Sequence, residues 1–484
     1  MTIHPLGLDP GLCLIGDAWC AADSGDRLPL YNPSDGSVLC EIAAGGAADV
    51  DAAVAAAQAA MAGAWGRTTA MERGRILHRM HRLVLDHADE LAQLESLDVG
   101  KPLKQGHADV VGLARYLEFY AGAADKLHGD TIPYQNGFTV YTLREPHGVA
   151  GIIVPWNYPM QIIGRAAGAA LAAGNAVVLK PAEEASLTAL AFAEIGRRAG
   201  LPAGALNLVP GRGPEAGAAL ARHRGVHHMS FTGSVRVGRL IQQYAAENIV
   251  PVTLELGGKS PQIVFGDADL GAALPVLISA GLQNAGQTCS ASSRILVHQS
   301  RYDEVVEAMA ERYRALRVGP ASDNPDVGPV VSNRQKGIVE DFLGQGGDLT
   351  RAAEADIAAD APNGGAYVRP TLFACDKPDH VLARDEIFGP VQVAIPFSDD
   401  EEALAIANGT DYGLVAGCWT MNGPRQMRMA KEIRAGQVYI NNYGAGGGIE
   451  IPFGGVGLSG HGREKGFEAL HGFTRVKAVS NFHG

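Results

Sequence analysis

Gly148-Val-Ala-Gly-Ile-Ile-Val-Pro-Trp-Asn-Tyr-Pro159 is the stretch that decides the fold. Its first seven residues form a short apolar run of strand length. Pro159 suits the first turn of a helix, where a missing N–H costs nothing. Helix-compatible residues then continue to Ala173, and Gly174 supplies a C-terminal stop. Asn175-Ala-Val-Val-Leu-Lys180 reads as the next buried strand. Residues 186–199 read as a helix with Gly200 behind it. Further strands are expected at 205–209, 226–230 and 250–256, with helices between them. Short apolar strands alternating with helices predict a parallel sheet covered on both faces, the α/β class.

Working outward, a second strand–helix series begins near Pro261 and continues to about Gly455, which places a domain boundary near Gly257-Gly258. Upstream, residues 49–65 form an alanine-rich helical stretch behind an expected Asp49 N-cap. Residues 71–99 carry Leu and Ile at helical spacing. Phe138-Thr-Val-Tyr-Thr-Leu-Arg144 alternates like a strand and predicts a projecting hairpin that meets another subunit.

The chain has 484 residues, too many for one core, so two or three domains are expected. Hydrophobic residues make up 46% and charged residues 19%, which excludes a disordered chain. The formal net charge of -12 disfavours nucleic-acid or membrane-surface partners. It does not disfavour an anionic cofactor, because helix N-termini act at short range. Cys13, Cys20, Cys40, Cys289, Cys375 and Cys418 show no C-x-x-C pair, which suits free thiols in a reducing compartment. With no basic start followed by an apolar run, and no apolar run approaching the ~18 residues of a membrane span, the expectation is a cytoplasmic protein.

Cys289 lies in Asn284-Ala-Gly-Gln-Thr-Cys-Ser290. A lone cysteine is usually a small inert hydrophobe, but polar neighbours here suit a reactive thiol. Glu255 follows an expected strand and precedes Gly257-Gly258. A partly buried carboxylate there suits a general base, and a solvated loop glutamate is the plainer alternative. Asn157 precedes Pro159. Its amide suits either an oxyanion donor or a helix cap. Gly211-Arg-Gly-Pro-Glu-Ala-Gly217 is not the G-x-G-x-x-G fingerprint. Phe231-Thr-Gly-Ser234 opens a helix and suits a pyrophosphate. Gly258-Lys-Ser260 is not a P-loop, because Thr253 stands where its first glycine is required. No H-E-x-x-H or G-x-S-x-G motif occurs, and His227 and His228 point to opposite faces of a strand, so neither a metal site nor a serine hydrolase is expected.

Seven segments, in order, resemble the aldehyde dehydrogenase family: Pro155-Trp-Asn-Tyr-Pro159, Lys180-Pro-Ala-Glu183, Phe231-Thr-Gly-Ser234, Leu254-Glu-Leu-Gly-Gly258, Gly286-Gln-Thr-Cys289, Glu386-Ile-Phe-Gly-Pro390 and Pro452-Phe-Gly-Gly455. The likeness spans nearly the whole chain. It implies a Rossmann-type cofactor domain (1–125 and 147–256), an α/β catalytic domain (257–455) and oligomerisation segments (126–146 and 456–484) in a homodimer or homotetramer. It implies oxidation of a small-molecule aldehyde to the acid. Cys289 would form a thiohemiacetal and then a thioester, Asn157 and the Cys289 N–H would hold the oxyanion, and Glu255 would activate water.

Implied cofactor contacts are Trp156, Lys180, Glu183, Phe231, Gly233, Ser234, Leu256, Glu386 and Phe388. Implied substrate contacts are Tyr158, Arg165, Gln283, Thr288, Ser290, Asn441 and Phe453. Glu183 favours NAD over NADP, since a carboxylate accepts from ribose hydroxyls and repels a 2′-phosphate. Arg165 stands where relatives acting on succinate semialdehyde bind a carboxylate, but Gln283 replaces their second arginine. Arg165 is therefore either a specificity residue or the partner of a neighbouring acid. The loop from Asn441 to Glu450 is expected to edge the substrate tunnel with a glycine-rich rim that admits a broad substrate range. A CoA-acylating relative is disfavoured by Glu255, and a non-catalytic relative by the intact set of Cys289, Glu255 and Asn157.

Overall fold

The computed structural model describes residues 3–444 and 448–484. Two large sheets organise it. The first has eight strands in the order Gly460–His461, Val252–Glu255, His228–Thr232, Val149–Ile153, Ala176–Lys180, Leu206–Leu208, Cys13–Ile15 and Ala18–Cys20. Its five central strands run parallel, with antiparallel strands at both edges. The second has seven strands: Thr350–Glu354, Thr371–Ala374, Val391–Phe397, Arg294–His298, Pro261–Val264, Val415–Trp419 and Gln437–Ile440. All but the first are parallel. Each sheet has its own apolar core. Val149–Ile153 and Ala176–Lys180 are buried along their full length, as a strand covered on both faces must be.

The helix Pro159–Ala173 starts on Pro159 and ends at Gly174, whose φ of 96° is left-handed. Other expectations move. Asp49 is not the N-cap of the helix Ala47–Ala62. Gly46 is, and Asp49 sits at the third helical position, its carboxylate accepting the Gly46 N–H at 2.9 Å. The 71–99 stretch is two helices, Ala70–Asp86 and Ala88–Val99, broken at His87. The strand expected at 226–230 runs from His228 to Thr232, because its register with Val149–Ile153 begins at His228 opposite Ala150.

A third, small sheet pairs Thr474–Phe482 with Phe138–Pro146, which also pairs with Thr131–Ile132. The tail before Thr474 differs from expectation. Gly460–His461 adds to the first sheet, and Ala469, Leu470 and Phe473 join the first core. Only the end of the 456–484 segment therefore meets the hairpin. All six cysteines are free. No helix among the described residues is long and apolar enough to cross a membrane.

Candidate active site

Cys289 follows a strained turn. Asn284, Ala285 and Gly286 all take left-handed φ values, of 51°, 53° and 72°. Such a conformation persists in non-glycine residues only where surroundings enforce it. They do so here. The buried Gln287 donates to Asn284 O at 2.9 Å and accepts from Val331 N at 2.8 Å, and Asn284 donates to Asn157 O at 2.9 Å. A side chain at Gly286 would meet the carbonyl oxygen of Gly389. The turn leaves Cys289 half-buried. Burial pushes its thiol up to about 11, while the Arg165 guanidinium pulls it back.

Asn157 does not cap its helix; Tyr158 occupies that position. Its amide donates to Gln287 O at 2.9 Å, which fixes the side chain beside the cysteine loop and leaves the second amide N–H without another partner among the described residues. Glu255 is the last residue of its strand and is 1% exposed, so it is not a solvated loop glutamate. Neither carboxylate oxygen has a hydrogen-bond partner among the described residues. Burial and the Glu464 carboxylate hold its pKa well above the usual range. Cys289, Glu255 and Asn157 line one cavity of about 410 Å³.

Trp156, Gly233, Ser234, Glu386 and Phe388 line the same cavity. Ser234 caps the helix Val235–Ala246, whose N-terminus opens there. Glu386 accepts from Gly258 N at 3.0 Å, and burial raises its pKa to about 7. Trp156 and Phe388 meet edge to face at 5.3 Å. An adjoining cavity of about 260 Å³ holds Glu183 and shares Glu184, Val331 and Ser332 with the first. Lys180, buried, lies 3.3 Å from Glu183. An acceptor carboxylate at each end, an apolar plate and a helix N-terminus between them fit a dinucleotide.

Phe231 and Leu256 are buried and absent from the cavity walls; they pack under Gly233 and Gly238. Sequence reading missed Arg334, Gln335 and Ile338 of the helix Asn333–Gly344, which face this cavity. Gln335 donates to Phe388 O at 2.9 Å and holds Phe388 at a left-handed φ of 56°. No local motif signals them.

A separate cavity of about 530 Å³ reaches the other side of the cysteine loop, at Thr288 and Ser290, with Gln283 in its wall. Gln105, Asp109, Gly112, Arg115 and Gln161 also line it and were not expected. Other expected substrate contacts fall elsewhere. Tyr158 is buried, with its hydroxyl 3.1 Å from Thr288 Oγ1 and its ring under Lys101 Nζ. Asn441 is spent on Thr420, accepting from its N–H at 2.9 Å and donating to its carbonyl at 3.0 Å. Phe453 is core, packed with Leu414 and Val415 against Cys289. Arg165 is buried in an ion pair with Glu464 and lines neither cavity, so the neighbouring-acid alternative is the one realised. Of the expected tunnel rim, Gly444 and Gly448 line the cavity, and residues 445–447 lie outside the described residues.

The family model described as the aldehyde dehydrogenase family matches residues 19–479. Aldehyde dehydrogenase family 2 member B4, mitochondrial, of Arabidopsis thaliana is 43% identical over 472 residues, covering 96% of this chain and 87% of that protein. A crystal structure of a candidate aldehyde dehydrogenase from Burkholderia cenocepacia superposes with a TM-score of 0.97 at 59% identity, covering 98% of this chain and all of that one. The NAD+ complex of an aldehyde dehydrogenase from Bacillus cereus gives a TM-score of 0.95 at 39% identity, covering 98% and 96%. By whole-length match and fold alike, the chain belongs to the aldehyde dehydrogenase family, whose enzymes oxidise aldehydes to carboxylic acids.

Proposed function

We propose that this enzyme oxidises an aldehyde with NAD as hydride acceptor, through a covalent intermediate on Cys289. The observation that carries the reading is the convergence of Cys289, Asn157 and Glu255 on one cavity whose far wall suits a dinucleotide. Trp156, Ser234, Glu386 and Phe388 would hold that cofactor, with Glu183 and Lys180 at its adenosine end. When bound, the nicotinamide accepts the hydride.

The chain's own groups do the rest. The Cys289 sulfur attacks the carbonyl carbon and forms a thiohemiacetal. The second amide N–H of Asn157 and the backbone N–H of Cys289 receive the oxyanion; losing such a donor costs about 2.7–4 kcal/mol of transition-state stabilisation. Loss of hydride leaves a thioester. Glu255 then takes a proton from water, which attacks the thioester and releases the acid and the Cys289 sulfur. Glu183, with Glu184 beside it, supports NAD over NADP, because either carboxylate repels a 2′-phosphate.

The test is NADH formation by purified protein with aliphatic, aromatic, cationic and carboxylate-tailed aldehydes. Activity in the wild type that vanishes in Cys289→Ala is expected. Undiminished activity in that variant overturns the reading, and equal kcat/KM with NAD and NADP overturns the cofactor preference.

A further inference from the structure

Two cavities meet at the cysteine loop. Cys289 itself lines the one that suits the dinucleotide, and its neighbours Thr288 and Ser290 line the second, of about 530 Å³. The helix Leu103–Ala123 gives this second cavity one long wall. Gln105, Asp109, Gly112 and Arg115 lie three or four residues apart along one face of it. Gln161, from the helix Pro159–Ala173, lies across that wall. A methyl on Gly112 would come within 3.3 Å of the Gln161 amide carbon, so the bare glycine makes room for that amide. The opposite side is lined by Ser279 and Ala280 and by Tyr443, which donates to Ser290 O at 2.5 Å.

Two glutamine amides in this wall are half committed, and their partners fix which half. Gln161 Nε2 donates to Asp109 Oδ1 at 2.5 Å. Asp109 carries Lys101 Nζ on its other oxygen at 2.5 Å, so it accepts and does not donate, and the Gln161 amide can stand only with its nitrogen towards it. Lys101 is pinned in turn by Glu95 at 2.8 Å and by the Tyr158 ring 3.8 Å away. This chain of buried groups ends in one atom, Gln161 Oε1, which has no hydrogen-bond partner among the described residues. Gln105 is turned the other way. Its amide oxygen accepts from the backbone N–H of Asn284 at 3.1 Å, which leaves its N–H₂ without a partner among the described residues. The two charged side chains of the wall are both engaged: Asp109 as described, and Arg115 by Glu118 at 3.0 Å and by Glu450.

We propose that the tail of the aldehyde occupies this second cavity, and that Gln161 and Gln105 are specificity-determining residues that select an uncharged tail bearing a hydroxyl group. The proposal rests on the reading of Cys289 as nucleophile, with the dinucleotide on its other side. The wall offers one acceptor and one donor. A hydroxyl both donates and accepts, so it answers either amide. An ammonium tail only donates, and it would meet the Gln105 N–H₂ and the Arg115 guanidinium. A carboxylate tail only accepts, and it would meet Gln161 Oε1 and Asp109. A methyl tail answers neither and strips both amides of water without replacing it, which is how a site built to hydrogen-bond rejects an analogue lacking the group.

The experiment measures kcat/KM of the full-length protein with NAD and straight-chain aldehydes of matched length, from short to medium, ending in methyl, hydroxyl, ammonium or carboxylate. The wild type is expected to favour the hydroxyl tail over the methyl tail of the same length by about tenfold or more at its best length. Gln161→Leu and Gln105→Leu are each expected to shrink that ratio, chiefly through a higher KM for the hydroxyl tail, while the methyl tail is turned over as well as before or better. The ratio is taken within one enzyme, so a loss of folded protein alone would lower both rates and leave it unchanged. A wild type that shows no preference, or that prefers the ammonium or carboxylate tail, overturns the proposal. So does a hydroxyl preference that persists undiminished in both variants. If Gln161→Leu does not fold, Gln105→Leu decides, and an undiminished ratio there overturns it. No turnover of any tail by the wild type overturns the oxidation reading and this proposal with it, whereas turnover without preference overturns this proposal alone.

Discussion

Glu255 is a carboxyl group in a place that disfavours its charge. Its pKa is raised well above the usual carboxylate range by burial and by the Glu464 carboxylate, so the proton that the proposed base must shed is held to higher pH than on an ordinary carboxyl. Deprotonation with rising pH turns it on. The rate of thioester hydrolysis is therefore expected to climb with pH above the ordinary carboxylate range, and Glu255→Gln should lose that limb. Pre-steady-state bursts measured across pH check this; a flat hydrolysis rate in the wild type contradicts it. Asn157→Ala is expected to lower kcat by about 10²–10³-fold and, by removing a buried hydrogen bond to Gln287 O, to cost about 1–3 kcal/mol of stability. Steady-state kinetics together with thermal unfolding separate the two. The proposed catalytic residues were legible only together: each alone left a plainer alternative open, and the ordered set of short motifs resembling the family singled them out. Arg165 was legible only as a pair of alternatives. Its partner Glu464 lies far along the chain, and only the packing of the helix Pro159–Ala173 against the edge strand's tail brings them together.

At the scale of elements, capping signals and apolar runs were read where they were unambiguous. Pro159 and Gly174 bracket their helix as physical chemistry requires. Asp49 misled because an acid at the third helical position and an acid at the N-cap leave the same local sequence trace. The cavity wall from Asn333–Gly344 was illegible for another reason: its apolar and polar pattern is that of any surface helix, and only tertiary placement turns Arg334 and Gln335 inward. Helices 88–99 and 103–123 are fastened by Lys101, fully buried, 2.8 Å from Glu95 and 2.5 Å from Asp109. Removing the cation strands two buried carboxylates. Lys101→Met is expected to cost about 3–5 kcal/mol of stability. A denaturant-unfolding midpoint equal to the wild type's contradicts that.

At the scale of the molecule, the alternation of strands and helices was enough to place the chain in the α/β class. The way the C-terminal tail divides between the first sheet and the hairpin was not. Gly460–His461 carries no strand signal, being two residues whose pairing is dictated by the neighbouring Leu254 and Glu255. The three-stranded sheet exposes Tyr141 and Leu143 on one face and Val476 and Phe482 on the other. We propose that this sheet meets a second copy of the chain. Sedimentation of the wild type above the mass of a single chain, and a smaller species after deletion of residues 474–484, are the expected results. A wild type that sediments as a single chain contradicts it.

The most direct test of the central claim is to trap the covalent intermediate. Glu255→Gln, mixed with a turned-over aldehyde and NAD, quenched in acid and digested, is predicted to carry one acyl group, on the peptide containing Cys289. An acyl group on another residue, or turnover by Cys289→Ala, would contradict the account.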